Sequence, residues 1–167
     1  GIKELLTAFE FEAVMYAKQT RAVYNYRAYG EESEFTLRRN RQAFDWVQLV
    51  KNQVAASKAE TATEVFGTKM AFPLMVSPTA LHGDLDKDAE MSTHKGAAAA
   101  SDTPMILSNN SSLPFDKVMP AAASPMWIQL YPKQTLEANK SYLDPAIALG
   151  AKAVVVTIDQ QAPVYER

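Results

Sequence analysis

The first part of the chain has the apolar spacing of amphipathic helices. Apolar residues recur three and four positions apart over residues 7–19, which predicts a first helix, and the pattern continues into a second helix that should stop at Gly30. A third helix should begin near Ser33, carry a solvated arginine face and then bury three apolar residues. The arginines are Arg38, Arg39 and Arg41, and the apolar residues are Phe44, Trp46 and Val47.

From residue 70 onward, short apolar runs alternate with helical stretches. Four runs are predicted as buried strands, at residues 72–77, 105–108, 127–131 and 153–159. Helices are predicted between them, at residues 88–101, 114–121 and 134–149. The alternation indicates βαβ units and a parallel sheet. The last run is almost continuously β-branched, which predicts a strand covered on both faces.

The number of strands predicts only half of a closed barrel. We interpret residues 1–69 as an N-terminal helical segment and residues 70–167 as the first four βα units of an α/β fold, the TIM (β/α)8 barrel. Four strands curved for a barrel would leave two unpaired edges and an uncovered inner face. We therefore expect the C-terminal half of the barrel on another chain or in another segment.

The composition narrows the classes of partner. The 167 residues are 47% apolar and include 17 basic and 19 acidic side chains, with a formal net charge of −2. A folded domain is therefore expected, without a basic surface for nucleic acid or an anionic membrane and without a membrane span. The absence of cysteine excludes thiolate metal sites and a cysteine nucleophile, and it fits a reducing compartment. No metal site is expected.

Polar residues follow each predicted strand. The four segments are 77–80, 108–110, 129–131 and 157–159. Because the carboxyl ends of parallel strands meet at one mouth of a barrel, these segments should line a single site. From spacing alone, however, Tyr26 and Tyr131 are better explained as packed aromatic residues with satisfied hydroxyl groups.

Several motifs form an ordered set along nearly the whole chain. They are Tyr24-Asn-Tyr26, Thr36-Leu-Arg-Arg-Asn40, Ser77-Pro-Thr-Ala80, Leu107-Ser108, Gln129-Leu-Tyr131 and Thr157-Ile-Asp159. In this order the motifs resemble the N-terminal half of the FMN-dependent α-hydroxy acid oxidase and dehydrogenase family, which includes glycolate oxidase and lactate oxidase. His82-Gly83, after the first predicted strand, is similar to the lactate oxidase branch.

The resemblance implies that FMN is the cofactor, held from two directions. The backbone of three consecutive residues would lie against the flavin: Pro78, Thr79 and Ala80. The side chains of Ser108 and Gln129 would form hydrogen bonds with the flavin ring system, and Thr157 would reach the edge of the ring.

The resemblance also implies a small 2-hydroxy acid as substrate. Tyr26 and Arg167 would bind its carboxylate, although Glu166 occupies the usual position of that arginine. Tyr131 would face the reacting hydroxyl group as a catalytic residue. Asp159 would orient a catalytic histidine that belongs to a later strand.

Three functions are compatible with these expectations. The first is FMN-dependent oxidation of a 2-hydroxy acid to the 2-oxo acid, by hydride transfer to flavin N5, with the electrons passed to dioxygen or another acceptor. The second is a noncatalytic half-barrel that binds a ligand or assembles with a partner, and the third is an FMN-dependent isomerase on the same fold. The resemblance further implies a homotetramer in the cytoplasm or, in a eukaryote, in the peroxisome. Neither His82 nor His94 is expected to be the catalytic base, and His94 should lie on a helix outside the barrel.

Overall fold

The described part of the chain forms two compact units. The computed structural model describes residues 2–51 and 59–159. Residues 2–51 belong to the first unit, and residues 59–159 belong to the second. Arg167, which the resemblance assigns to the substrate, lies outside the described residues.

Among its described residues, the first unit contains three α-helices, which confirms the prediction from apolar spacing. They are α1 (Ala8–Lys18), α2 (Arg21–Ala28) and α3 (Phe35–Gln42). Local hydrogen bonds cap the N-termini of the first two helices. The Thr7 N–H donates to Glu10 Oε2 at 2.7 Å, and Thr20 Oγ1 accepts from the Val23 N–H at 3.3 Å.

The apolar residues after α3 are exposed, so the prediction that they are buried is wrong. Phe44, Trp46 and Val47 are 78%, 69% and 68% exposed. None of the described residues in α1–α3 is fully buried, so the described part of this unit offers no core for them. Instead, the Arg39 guanidinium lies 4.2 Å from the centroid of the Trp46 ring in a cation–π contact. Arg38 and Arg41 are exposed, as predicted.

The second unit begins with an antiparallel hairpin that the sequence pattern did not predict. Strand β1 (Thr63–Val65) and strand β2 (Thr68–Met70) are joined by Phe66 and Gly67, which both have positive φ. Turns of this kind favour Asn-Gly, so Phe-Gly gives little sequence signal. The hairpin packs on Trp127, whose indole Nε1 donates to Thr68 Oγ1 at 2.9 Å.

A parallel sheet lies at the centre of the second unit, as predicted. Its strands are β3 (Met105–Leu107), β4 (Met126–Leu130) and β5 (Val154–Val156), paired in chain order. The helices are α4 (Ala89–Ser101), α5 (Phe115–Val118) and α6 (Leu136–Ala148). Leu107 pairs with Ile128, and Gln129 pairs with Val155. This register places the carboxyl ends of the three strands side by side.

The first predicted strand, residues 72–77, is reduced to a single parallel bridge between Val76 and Met105. The Leu74 N–H donates to the Phe72 carbonyl at 2.7 Å, which closes a tight turn around Pro73. Because proline lacks an N–H and has a fixed φ, a regular ladder does not run through this position. The bridge still brings the chain before residue 77 beside β3.

Strand β4 carries the core of the sheet, and all five of its residues are buried. The buried apolar cluster consists of Met105, Leu107, Val118, Met126, Ile128 and Ala146. In β5, Val154 and Val156 are 39% and 50% exposed, so the prediction of a strand covered on both faces is wrong. Within the described residues, β5 pairs only with β4, which leaves its other edge open.

Replacing Ile128 by alanine should lower the free energy of unfolding by about 2–5 kcal/mol, because the side chain is fully buried in the cluster. Urea unfolding followed by circular dichroism measures the loss. Ile147→Ala is the matched control, since Ile147 is 54% exposed on α6 and its loss should be within about 0.5 kcal/mol. Equal losses for the two variants would contradict the assigned core.

Candidate functional site

Three polar side chains form a hydrogen-bonded row across the carboxyl ends of the sheet. Gln129, which is 2% exposed, occupies the centre of the row. Its Nε2 donates to Thr157 Oγ1 at 2.9 Å, and its Oε1 accepts from the Asn109 N–H at 2.8 Å and from the Ser108 hydroxyl at 3.5 Å. The Asn109 N–H can only donate, so it fixes which end of the amide is the oxygen. Ser108, Gln129 and Thr157 are therefore brought together, as the sequence predicted.

Asn109 connects the end of β3 to the end of β4. Besides its backbone bond to Gln129, its Oδ1 accepts from the Tyr131 N–H at 3.2 Å. The next residue, Asn110, donates its N–H to Ser108 Oγ at 3.1 Å. Sequence reasoning gave Asn109 no role of its own, because a polar residue after a strand is ordinary. These bonds fix the loop that follows the row.

The segment at Pro78, Thr79 and Ala80 lies at the same edge of the sheet. The adjacent Leu81 N–H donates to the Asn110 carbonyl at 3.2 Å, which ties this segment to the loop after β3. Pro78 and Ala80 are partly buried, whereas Thr79 is exposed and its hydroxyl lies 3.4 Å from the Ser77 carbonyl. Their backbone contact with a flavin stays a prediction.

The residues predicted to act on the substrate have different surroundings. Tyr131 is partly buried directly after β4, and Asp159 is exposed shortly after β5. Tyr26 is 63% exposed on α2, in the first unit, with the Arg27 guanidinium 5.4 Å from its ring centroid. The roles of Tyr26, Tyr131 and Asp159 stay predictions.

A buried carboxylate, which sequence reasoning missed, lies behind the site. Glu90 is fully buried at the start of α4, and its Oε1 accepts from the His82 N–H at 3.1 Å and the Ser112 N–H at 2.8 Å. Burial raises the pKa of Glu90, but these two N–H donors, its own N–H and the electrostatic interaction with His82 together hold the pKa below the ordinary value for glutamate. Its contribution to folding is therefore present above the ordinary pKa of glutamate and is lost as the pH falls through the depressed pKa.

Both histidine rings are engaged in the second unit. His82 Nδ1 lies 2.9 Å from Thr93 Oγ1. The buried ring of His94 lies 3.0 Å from the Val118 carbonyl and 3.2 Å from the Ser124 carbonyl. His94 lies on helix α4, as the sequence predicted, and its ring is buried by packing.

Tyr142 supports the central strand from α6. Its hydroxyl donates to the Gln129 carbonyl at 3.1 Å, and its ring packs edge-on against Phe115 at 5.1 Å between centroids. Burial raises the pKa of the Tyr142 hydroxyl to about 12. Sequence reasoning placed Tyr142 inside a helix, but nothing local marks its contact with the strand.

The comparisons with known proteins agree with this geometry. The model of the family described as FMN-dependent dehydrogenase matches residues 16–166. Glycolate oxidase 1 from Zea mays is 31% identical over 157 residues, which are 93% of this chain and 42% of that enzyme. L-lactate dehydrogenase from Ectopseudomonas mendocina is 33% identical and covers 92% of this chain and 41% of its own length. The chain belongs to the FMN-dependent dehydrogenase family.

Solved structures support the same assignment. A lactate oxidase from Pediococcus acidilactici superposes with a TM-score of 0.89 at 31% identity, over 95% of this chain and 44% of that one. The fold is therefore α/β, as expected. The chain spans less than half the length of the relatives named here.

Two other kinds of feature are absent from the part of the chain that the structure describes. Among residues 2–51 and 59–159, no group of three or more histidine, aspartate or glutamate side chains is placed to hold a metal ion. Over the same described ranges, no helix has both the length and the apolar character needed to cross a membrane.

The chemistry of the row fits the ring system of FMN. Two hydroxyl groups and one amide give neutral donors and acceptors, which suit a flat ring that carries carbonyl oxygens and ring nitrogens. Parallel α/β sheets bind their ligands at the carboxyl ends of the strands, where this row lies. Ser108 and Gln129 are nearly fully buried, so their positions are fixed before a ligand arrives.

Replacing Tyr142 by phenylalanine should make the free energy of unfolding fall less steeply as the pH rises into the alkaline range. Between pH 10 and about 12 the unfolded chain ionises at this tyrosine while the folded chain does not, so stability falls as the pH rises through this window. Unfolding by urea at several pH values measures the slope. At neutral pH the free energy of unfolding of the variant should be lower by about 0.5–1.5 kcal/mol, because the hydrogen bond to the Gln129 carbonyl is lost. An unchanged alkaline slope would contradict the buried phenol.

Proposed function

We propose that this chain supplies part of an FMN-dependent enzyme that oxidises a small 2-hydroxy acid to the 2-oxo acid. The observation that carries the proposal is the Ser108–Gln129–Thr157 row at the carboxyl ends of three parallel strands. Membership of the FMN-dependent dehydrogenase family supports it. FMN, when bound, would accept the two electrons removed from the α-carbon and deliver them to dioxygen or another acceptor.

The chain's own residues would position the cofactor. Ser108, Gln129 and Thr157 would bond the ring system, and the backbone of residues 78–80 would cover one side of it. Because the amide of Gln129 is held on both sides, its remaining hydrogen-bonding capacity has a fixed direction. This fixed direction would orient the flavin relative to the substrate.

Substrate binding and proton removal would require further groups. Tyr26 and Arg167 would bind the carboxylate, and Tyr131 would donate to negative charge that develops on the substrate oxygen. Asp159 would hold a histidine from a later strand, which would take the hydroxyl proton. His82 and His94 are poor candidates for this base, because their rings already contact Thr93 and two carbonyl groups.

The fold proposal follows from the same row. Residues 70–167 would form the first four βα units of a TIM barrel, preceded in the chain by helices α1–α3 and by the β1–β2 hairpin rather than by a wholly helical segment. Within the described residues β5 pairs with β4 alone, which is compatible with further strands of the barrel from another chain or another segment. A homotetramer, and a cytoplasmic or peroxisomal location, stay predictions.

The full-length protein that carries this sequence should bind FMN and lose its yellow colour when it is mixed anaerobically with lactate, glycolate or mandelate. Only an enzyme that oxidises hydroxy acids should reduce the flavin under these conditions. Absorbance in the visible range measures both binding and reduction. A protein that takes up no FMN contradicts the proposal. A yellow protein that none of the acids bleaches supports a binding module or an isomerase instead.

The two tyrosines should have separable effects. Tyr131→Phe should slow flavin bleaching by about 10²–10³-fold with little change in FMN affinity, because it removes a donor to developing charge. Tyr26→Phe should mainly raise the concentration of hydroxy acid needed for bleaching. Anaerobic stopped-flow mixing over a range of substrate concentrations separates the effects. Loss of FMN from both variants would mean that the tyrosines are structural.

A further inference from the structure

The feature that the proposed chemistry leaves unused is the buried carboxylate of Glu90. Glu90 is 0% exposed in the first turn of α4. An acidic residue there is ordinarily a solvated partner of the helix dipole. In this chain its Oε1 instead binds two N–H groups that belong to two different loops.

The two loops meet at Glu90. His82 lies in the loop that follows Val76, and Ser112 lies in the loop that follows β3, so one carboxylate oxygen joins them at 3.1 Å and 2.8 Å. A second bond runs directly between the loops, from the Gly83 N–H to Ser112 Oγ at 2.9 Å. We call these contacts the loop junction.

The loop junction leaves almost no free space. A Cβ atom on Gly83 would lie 3.0 Å from Ser112 Oγ and 3.1 Å from Ser112 Cβ. These distances are shorter than ordinary van der Waals contact, so a side chain at position 83 would require Ser112 to shift by a few tenths of an ångström. The separation of the loops is therefore set by Glu90 on one side and by this close contact on the other.

Each loop carries part of the proposed flavin site close to the junction. Ala80 comes two residues before His82, and Asn110 comes two residues before Ser112. Asn110 accepts from the Leu81 N–H and donates its own N–H to Ser108 Oγ. A displacement at the junction would therefore reach both the backbone at residues 78–80 and the Ser108 hydroxyl.

We propose that Glu90 is a positioning residue that fixes these two loops against each other and thereby shapes the FMN-binding surface. The inference rests on the proposed function. The carboxylate does not touch the row itself; it acts through the N–H groups of His82 and Ser112. Glu90 Oε2 has no hydrogen-bond partner among the described residues, so an amide at this position keeps the acceptor that matters.

The test compares Glu90→Ala with Glu90→Gln in the full-length protein. Glu90→Ala removes the acceptor for both loops and should weaken FMN binding by about 10-fold or more and change the visible circular dichroism of the bound flavin. Glu90→Gln retains an acceptor oxygen and should stay within about threefold of the wild-type affinity. Flavin fluorescence titration gives the dissociation constants.

Two further variants separate positioning from general stability. Thr68→Val removes the buried bond to Trp127 at the hairpin, so it should lower the unfolding temperature while FMN affinity and circular dichroism stay unchanged. Gly83→Ala leaves Glu90 in place but displaces Ser112 at the junction, and it should weaken FMN binding as Glu90→Ala does. If Glu90→Ala does not fold, Gly83→Ala decides the question.

The outcomes are distinct. Unchanged FMN affinity and circular dichroism in Glu90→Ala, or in Gly83→Ala if the first variant does not fold, would overturn the inference and leave the proposed function intact. An equal loss of affinity in Thr68→Val would also overturn it, because the effect would then reflect stability alone. A wild-type protein that binds no FMN would overturn the proposed function and, with it, this inference.

Discussion

The buried amide of Gln129 is the interaction on which the candidate site depends. Its oxygen and its nitrogen are both hydrogen-bonded, to the loop after β3 and to the residue after β5. Leaving such a buried group unpaired would cost about 1–3 kcal/mol, so the neighbouring loops are held to one arrangement. One side chain at the end of the central strand thus joins the ends of all three strands.

Support for this amide comes from outside the row. On one side, the Tyr142 hydroxyl holds the backbone carbonyl of Gln129, and on the other, Glu90 joins the loops that flank Ser108. Both supporting residues lie on helices: Glu90 is fully buried, and Tyr142 is partly buried. The polar row is therefore attached to rigid elements, which is the arrangement that a binding site needs when its geometry must exist before the ligand arrives.

The elements that repeat a simple pattern could be predicted from the sequence. β4 is apolar except for Gln129 near its carboxyl end, and parallel topology predicts that the polar residues at the ends of neighbouring strands lie together. Glu90 could not be found in this way, because its burial depends on Ser112, which lies on a loop 22 residues away. The exposure of Trp46 was missed for a related reason. Apolar spacing predicts that a helix has an apolar face, but it does not predict that another element covers that face.

Strand β5 has a consequence for work with this part of the chain by itself. Within the described residues it pairs with β4 along one edge only, and Val154 and Val156 are 39% and 50% exposed. A strand edge of this kind is a template on which a second copy can add in the wrong register and begin an aggregate. If residues up to 159 are produced without a neighbouring strand on that edge, we expect aggregation to lower the yield of folded protein.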